Sequence, residues 1–119
     1  MLKCKLVFGL LRGRELYALD KLISYGRFGR NRSQLLRAII DVGVTDKWYA
    51  DVAMAQEMSI RRPDYTMSCR IDLESYCALS ILAKRREITM SKFVRRMILA
   101  CYYCDEYQER VVEVLNGGY

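Results

Sequence analysis

The sequence predicts a mainly α-helical domain with two short strands, each strand followed by two helices, and one further helix between the two copies. Three observations carry this. The chain has 119 residues, 52% apolar and 29% charged, with one proline and seven glycines, which suits one globular domain able to bury a core without metals or disulfides. A capped amphipathic pattern occurs twice, Asn31–Ile40 matching Thr89–Ile98. A run alternating polar and apolar residues lies upstream of each.

In the first copy, Lys3 and Lys5 alternate with Cys4 and Leu6, and Val7, Phe8, Gly9 and Leu10 follow. Period two predicts a strand with Lys3, Lys5 and Val7 on its polar face. Leu16, Leu19, Leu22 and Ile23 have helical spacing, and Gly26 to Gly29 turns the chain. Asn31 and Ser33 then open a second helix that buries Leu35/Leu36 and Ile39/Ile40. Thr45 to Met58 reads as a linker helix capped by Thr45, with Asp46 in its first turn and Trp48, Val52 and Ala55 on one face. Arg61-Arg62-Pro63-Asp64 closes it.

In the second copy, Thr66, Ser68 and Arg70 alternate with Met67, Cys69 and Ile71, just after Pro63. Tyr76, Leu79 and Leu82 mark a first helix, and Arg86 to Ile88 a turn. Thr89 caps a second helix with Phe93/Val94 and Met97/Ile98 inside, running through Cys101 to about Tyr107. Asn116 to Tyr119 is expected to fray. Residues 1–119 thus form a single domain: copy one over 1–43, linker 44–63, copy two 64–108 and a tail 109–119. Copy one is two residues longer at the turn between its helices, and before the first helix the copies disagree by one residue more. The helix alignment sets Lys5 against Tyr65, so keeping both lysines on the polar face needs a one-residue slip near Gly9 to Gly13.

Charge is uneven. Residues 1–40, 41–62, 63–100 and 101–119 carry +7, −1, +3 and −3, for a net +6. Two basic blocks are the footprint of a polyanion, usually nucleic acid, although charge alone fits a solvated helix face equally well. Histidine is absent. That excludes His-based acid/base catalysis, Ser-His-Asp triads and His-ligated metals. Glycine-rich phosphate loops and G-x-S-x-G elbows are also missing, so no enzyme, no cofactor and no small-molecule substrate is expected. The apolar run Leu6 to Leu11 is too short for a signal core or a membrane span, so no membrane partner is expected and the chain reads as cytoplasmic. Five cysteines, an odd count, suggest no obligatory disulfide framework. The Cys101-Tyr-Tyr-Cys104 spacing lies on a helix without a second pair. It fits buried apolar residues better than a zinc site. Arg37 and Arg95, between apolar pairs, read as structural or surface residues. Tyr102, Tyr103 and Tyr107 read as core or interface.

Cys69-Arg-Ile-Asp, Leu79, Leu82 and Thr89-Met-Ser-Lys-Phe-Val-Arg, together with Leu19-Asp-Lys-Leu and Gly29-Arg-Asn-Arg-Ser-Gln-Leu-Leu-Arg, resemble the ribbon-helix-helix (MetJ/Arc) family. The resemblance covers roughly 3–42 and 66–104. The tandem single-chain form is similar to regulators encoded by archaeal filamentous viruses, which would place this chain in the host cytoplasm. It implies that the two strands pair as one antiparallel ribbon, an intramolecular pseudo-dimer, and that the ribbon enters the major groove of double-stranded DNA to regulate transcription. Lys3, Lys5, Val7, Thr66, Ser68 and Arg70 are then the base-contacting candidates, by residue type as well as face. Arg27, Arg30, Asn31, Arg32 and Ser33, with Arg86, Thr89, Met90, Ser91 and Lys92, are the phosphate-contacting candidates around two helix N-termini. Lys84 and Arg85 lie close by in sequence. Self-association of neighbouring units on DNA is a further expectation. The rival reading is a non-specific DNA-packaging, structural or adaptor protein, including an antitoxin-like one that binds a partner through the acidic 101–119 segment.

Overall fold

The computed structural model describes residues 2–117. Strand β1 (Lys3–Leu10) pairs antiparallel with β2 (Tyr65–Asp72), from Lys3 opposite Asp72 to Leu10 opposite Tyr65. Leu6, Phe8 and Leu10 of β1 and Met67, Cys69 and Ile71 of β2 are all buried on one side. Six apolar side chains on one face determine the register, because a one-residue slip of either strand would turn its three into water.

The first helices are α1 (Tyr17–Ser24) and α4 (Leu73–Arg85), and the second are α2 (Arg32–Thr45) and α5 (Met90–Tyr103). α2 packs on α5, α1 reaches α5, and α4 reaches α2, while β2 lies on α2 and β1 on α5. Each second helix therefore holds parts of both halves of the chain. Its apolar pairs are buried: Leu35, Leu36, Ile39 and Ile40 in α2, and Phe93, Val94, Met97 and Ile98 in α5. Asn31 caps α2 by accepting from the Gln34 N–H at 2.9 Å, and Thr89 caps α5 by accepting from the Lys92 N–H at 3.2 Å. Gly26 and Gly29 turn the chain before α2 with φ of 84° and 87°, a region that glycine enters without a side-chain clash.

β2 runs straight into α4, but β1 does not run straight into α1. Arg12–Leu16 forms a π-helical turn in which the Leu16 N–H donates to Leu11 O at 3.1 Å. A five-residue hydrogen bond absorbs one more residue than an α-turn. The extra residue of the first copy sits here, and Lys3, Lys5 and Val7 stay on the exposed face. The turn is pinned from inside. Glu15 is fully buried, its Oε1 accepts from the Leu11 N–H at 3.2 Å, and Arg95 Nε of α5 donates to the same oxygen at 2.6 Å. Arg95 is thus a core residue.

Three expected elements differ. Thr45 ends α2 instead of capping the next helix, its hydroxyl donating back to Asp41 O at 2.9 Å. Asp46 is the cap, and the linker helix is the shorter α3 (Lys47–Met54), with Ala50 and Ala53 buried and Trp48 48% exposed. α5 stops at Tyr103, because Cys104 is extended at φ −116°, ψ 116°. A separate helix, α6 (Asp105–Leu115), replaces most of the expected tail and buries Tyr107, Val111 and Val114. The Tyr107 hydroxyl donates to Ile39 O at 2.8 Å. Gly43 makes room for this contact, since a Cβ there would lie 2.8 Å from the Tyr107 oxygen and from Met97. The fraying expected at Gly118 and Tyr119 falls outside the described residues.

Arg95→Met alone should cost about 3–5 kcal/mol of stability, because it strands the Glu15 carboxylate in the core. The double variant with Glu15→Leu should recover most of that loss in urea denaturation. A single variant as stable as the double would contradict the buried pairing.

Candidate nucleic-acid interface

The face of the ribbon turned away from the helices is built from four cross-strand rows: Lys3 opposite Asp72, Lys5 opposite Arg70, Val7 opposite Ser68, and Gly9 opposite Thr66. Lys3, Lys5, Val7, Thr66, Ser68 and Arg70 are all exposed. The six base-contacting candidates therefore share one surface. Eight paired residues give it a length of about 25 Å at roughly 3.3 Å per residue.

The rows differ in charge. Lys3 Nζ meets Asp72 Oδ1 at 2.5 Å, so the outermost row is internally neutralised. Lys5 and Arg70 face each other as like charges, and neither has an acidic partner among the described residues. Such a pair costs stability in the free protein. Val7, at 53% exposed, adds an apolar side chain beside Ser68. Gly9 is only half open, because Pro63 covers it: a Cβ on Gly9 would come 2.7 Å from Pro63 Cβ.

The phosphate-contacting candidates occupy varied settings. Asn31 and Thr89 are caps, which leaves the first-turn N–H groups of Arg32, Ser33, Met90 and Ser91 at the open helix ends. Arg30 and Lys92 are exposed. Arg27 makes a 3.2 Å surface contact with Glu109, which holds it weakly. Arg32 is bound at 2.8 Å to Asp20, which keeps its pKa above the ordinary arginine value, and it donates to the Tyr65 hydroxyl at 3.0 Å. Arg86 is mostly buried, joined at 2.7 Å to Asp51 of α3 and resting 5.9 Å from the Phe93 ring centre. Its guanidinium fastens α3 to α4, so it is a fold residue first.

Arg12, Asp72, Arg61 and Arg62, which no sequence pattern had marked as candidates, join Arg32 at the ribbon ends. Arg12 lies 5.1 Å and Arg32 5.6 Å from the Tyr65 ring centre, which places two guanidinium groups at one end of β2. Asp72 continues the period of Thr66, Ser68 and Arg70, and alternation alone could have found it. Arg61 and Arg62 read as a helix terminator, yet both are exposed beside the proline that covers Gly9.

No group of three or more Cys, Asp or Glu side chains that could hold a metal occurs among the described residues. No helix among them is long and apolar enough to cross a membrane. Compared with known proteins, the chain matches no family model, no curated protein and no solved structure.

The thiols report on the inner face of the ribbon and on the core. Burial pushes the Cys69 thiol up to about 11 and raises Cys101 further, whereas Cys77 is exposed. Thiolate is the reactive form. At pH 8, iodoacetamide should therefore modify Cys77 first and reach Cys69 and Cys101 only after unfolding. Rapid labelling of Cys69 in the native protein, read by peptide mass mapping, would contradict the buried inner face.

Proposed function

We propose that this chain is a sequence-specific regulator that binds double-stranded DNA, with two ribbon-helix-helix copies in one molecule and α3 in the linker between them. One observation supports it above the others: Lys5 and Arg70, like charges with no acidic partner among the described residues, stand together in the exposed face of a two-stranded antiparallel ribbon. A ribbon of this width fits the major groove. There an anionic wall would relieve the repulsion that the free protein bears.

The chemistry of each row supplies the reading. Lys5 and Arg70 suit the O6 and N7 acceptors of guanine, with Arg70 able to bind both at once. Ser68 and Thr66 donate or accept, and Val7 suits a thymine methyl. Lys3 reaches a base only by leaving Asp72, so its contribution is smaller. The helix ends at Asn31–Ser33 and Thr89–Ser91, with Arg30 and Lys92, hold phosphates on either side and set the ribbon's depth. The two strands carry unlike residues in equivalent rows, so the preferred site is not a strict palindrome. Regulation would follow from occupying that site against other proteins.

Selection from a random duplex library at about 150 mM salt should enrich one motif. Specific binding should exceed random binding by about a thousandfold or more. Arg70→Ala and Lys5→Ala should each cost about 1–3 kcal/mol on that motif and relax its preference. Arg30→Ala or Lys92→Ala should weaken all sequences alike and lower the salt slope by about 0.9 per lost phosphate. Wild-type-like specificity in both strand variants would sink the reading, and binding without enrichment would favour packaging.

A further inference from the structure

The segment between α3 and β2 is tied down along most of its length. Arg96 Nη1 donates to Met54 O at 3.0 Å and to Gln56 O at 2.5 Å, and the Arg14 guanidinium binds Glu57 O. At the far end, the Asp64 N–H donates to Leu10 O at 3.0 Å, while the Arg12 N–H donates to the Asp64 carboxylate at 2.8 Å. Asp64 thereby extends the ladder beyond Tyr65, and its charge is occupied. Pro63 then crosses onto the outward face of the ribbon over Gly9. The tip, Ile60-Arg61-Arg62, is left standing free beside that face. Ile60 is 104% exposed, and neither arginine side chain has a hydrogen-bond or ion-pair partner among the described residues. A held loop with an unpacked tip and two unused guanidinium groups has no role in the core.

Among the described residues, the opposite end of the ribbon has no counterpart. There Leu73 N–H donates to Leu2 O at 3.1 Å, and Lys3 and Asp72 neutralise each other. One end of the reading face is thus flanked by two free positive charges and the other by a closed ion pair.

Resting on the DNA-binding reading above, we infer that Arg61 and Arg62 form a one-sided clamp: they grip backbone phosphates of the duplex next to the Gly9–Thr66 end of the ribbon, and so set a single orientation of the protein on its site. Arginine and lysine both neutralise phosphates, and each neutralised phosphate adds to the salt dependence of binding. The exposed Ile60 lies against the sugar edge of the same flank. A site read by unlike strands and gripped on one side cannot be bound equally well in reverse.

Hydroxyl-radical footprinting on the selected duplex, with titrations at several salt concentrations, tests this. The wild type should protect more backbone on one flank than on the other. The double variant Arg61→Ala/Arg62→Ala should lose protection on the longer flank only, with the enriched motif unchanged. Its salt slope should fall by about 2, at about 0.9 per phosphate, and its affinity at 150 mM salt by about tenfold or more. The double lysine variant should restore the slope. Both arginine side chains are free, so the melting temperature should not move. An unchanged footprint and slope would overturn the clamp while leaving the ribbon reading intact. Loss of protection on both flanks would overturn its one-sidedness. A wild type that gives no footprint on any enriched duplex would overturn the clamp together with the reading it rests on.

Discussion

Pairing of β1 with β2 closes a chain loop that contains α1, α2 and α3. Closing such a loop costs entropy, and two strands on their own are marginal in water. The return comes from the inner face, where six apolar side chains settle on α2 and α5. Burial of Leu6, Phe8, Leu10, Met67, Cys69 and Ile71 holds the register, and the register alone decides which residues face outward. The candidate DNA-reading surface is therefore the obverse of a packing constraint. Any change that slips a strand by one residue puts Cys4 or Leu6 outside in place of Lys5, or Cys69 or Ile71 in place of Arg70.

That constraint explains the irregular start of the first copy. From the outward strand face to the apolar stripe of the first helix, the first copy holds one residue more than the second, and an α-turn would have no place for it. The π turn at Arg12–Leu16 takes it up, and the Glu15–Arg95 pair anchors the turn to α5. A buried ion pair is a poor source of net stability. Here it joins the irregular turn of the first half to the central helix of the second.

Much of this was legible in the chain. Period-two alternation located both outward faces, the caps Asn31 and Thr89 located two helix starts, and the disagreement between the copies located the extra residue to within a few positions. What alternation does not contain is which residue faces which. The Lys5–Arg70 row and the neutralised Lys3–Asp72 row depend on how the strands meet. Single side chains decided the other departures. Thr45 bonds back into its own helix and leaves the cap to Asp46, and Cys104 breaks α5 with neither glycine nor proline to announce it. The break is stabilised from a distance, by Tyr107 seated over Gly43 and bonded to Ile39 O. Arg32 and Arg86 looked like their exposed neighbours in a basic block, but Asp20 and Asp51 bind them. The Arg61-Arg62 tip looked like a helix terminator, because the cover of Pro63 over Gly9 exists only once the ribbon has formed.

On the proposed reading, the outward face of the ribbon contacts bases in the major groove. That contact is tested most directly by replacing each guanine of the selected site with 7-deazaguanine, which removes a major-groove acceptor and leaves pairing, minor groove and phosphates in place. A loss of about 1–3 kcal/mol is expected at one or two guanines, with no further loss at those positions once Arg70 or Lys5 is alanine. Full-strength binding to duplexes lacking every guanine N7, with affinity instead following minor-groove substitutions, would contradict it.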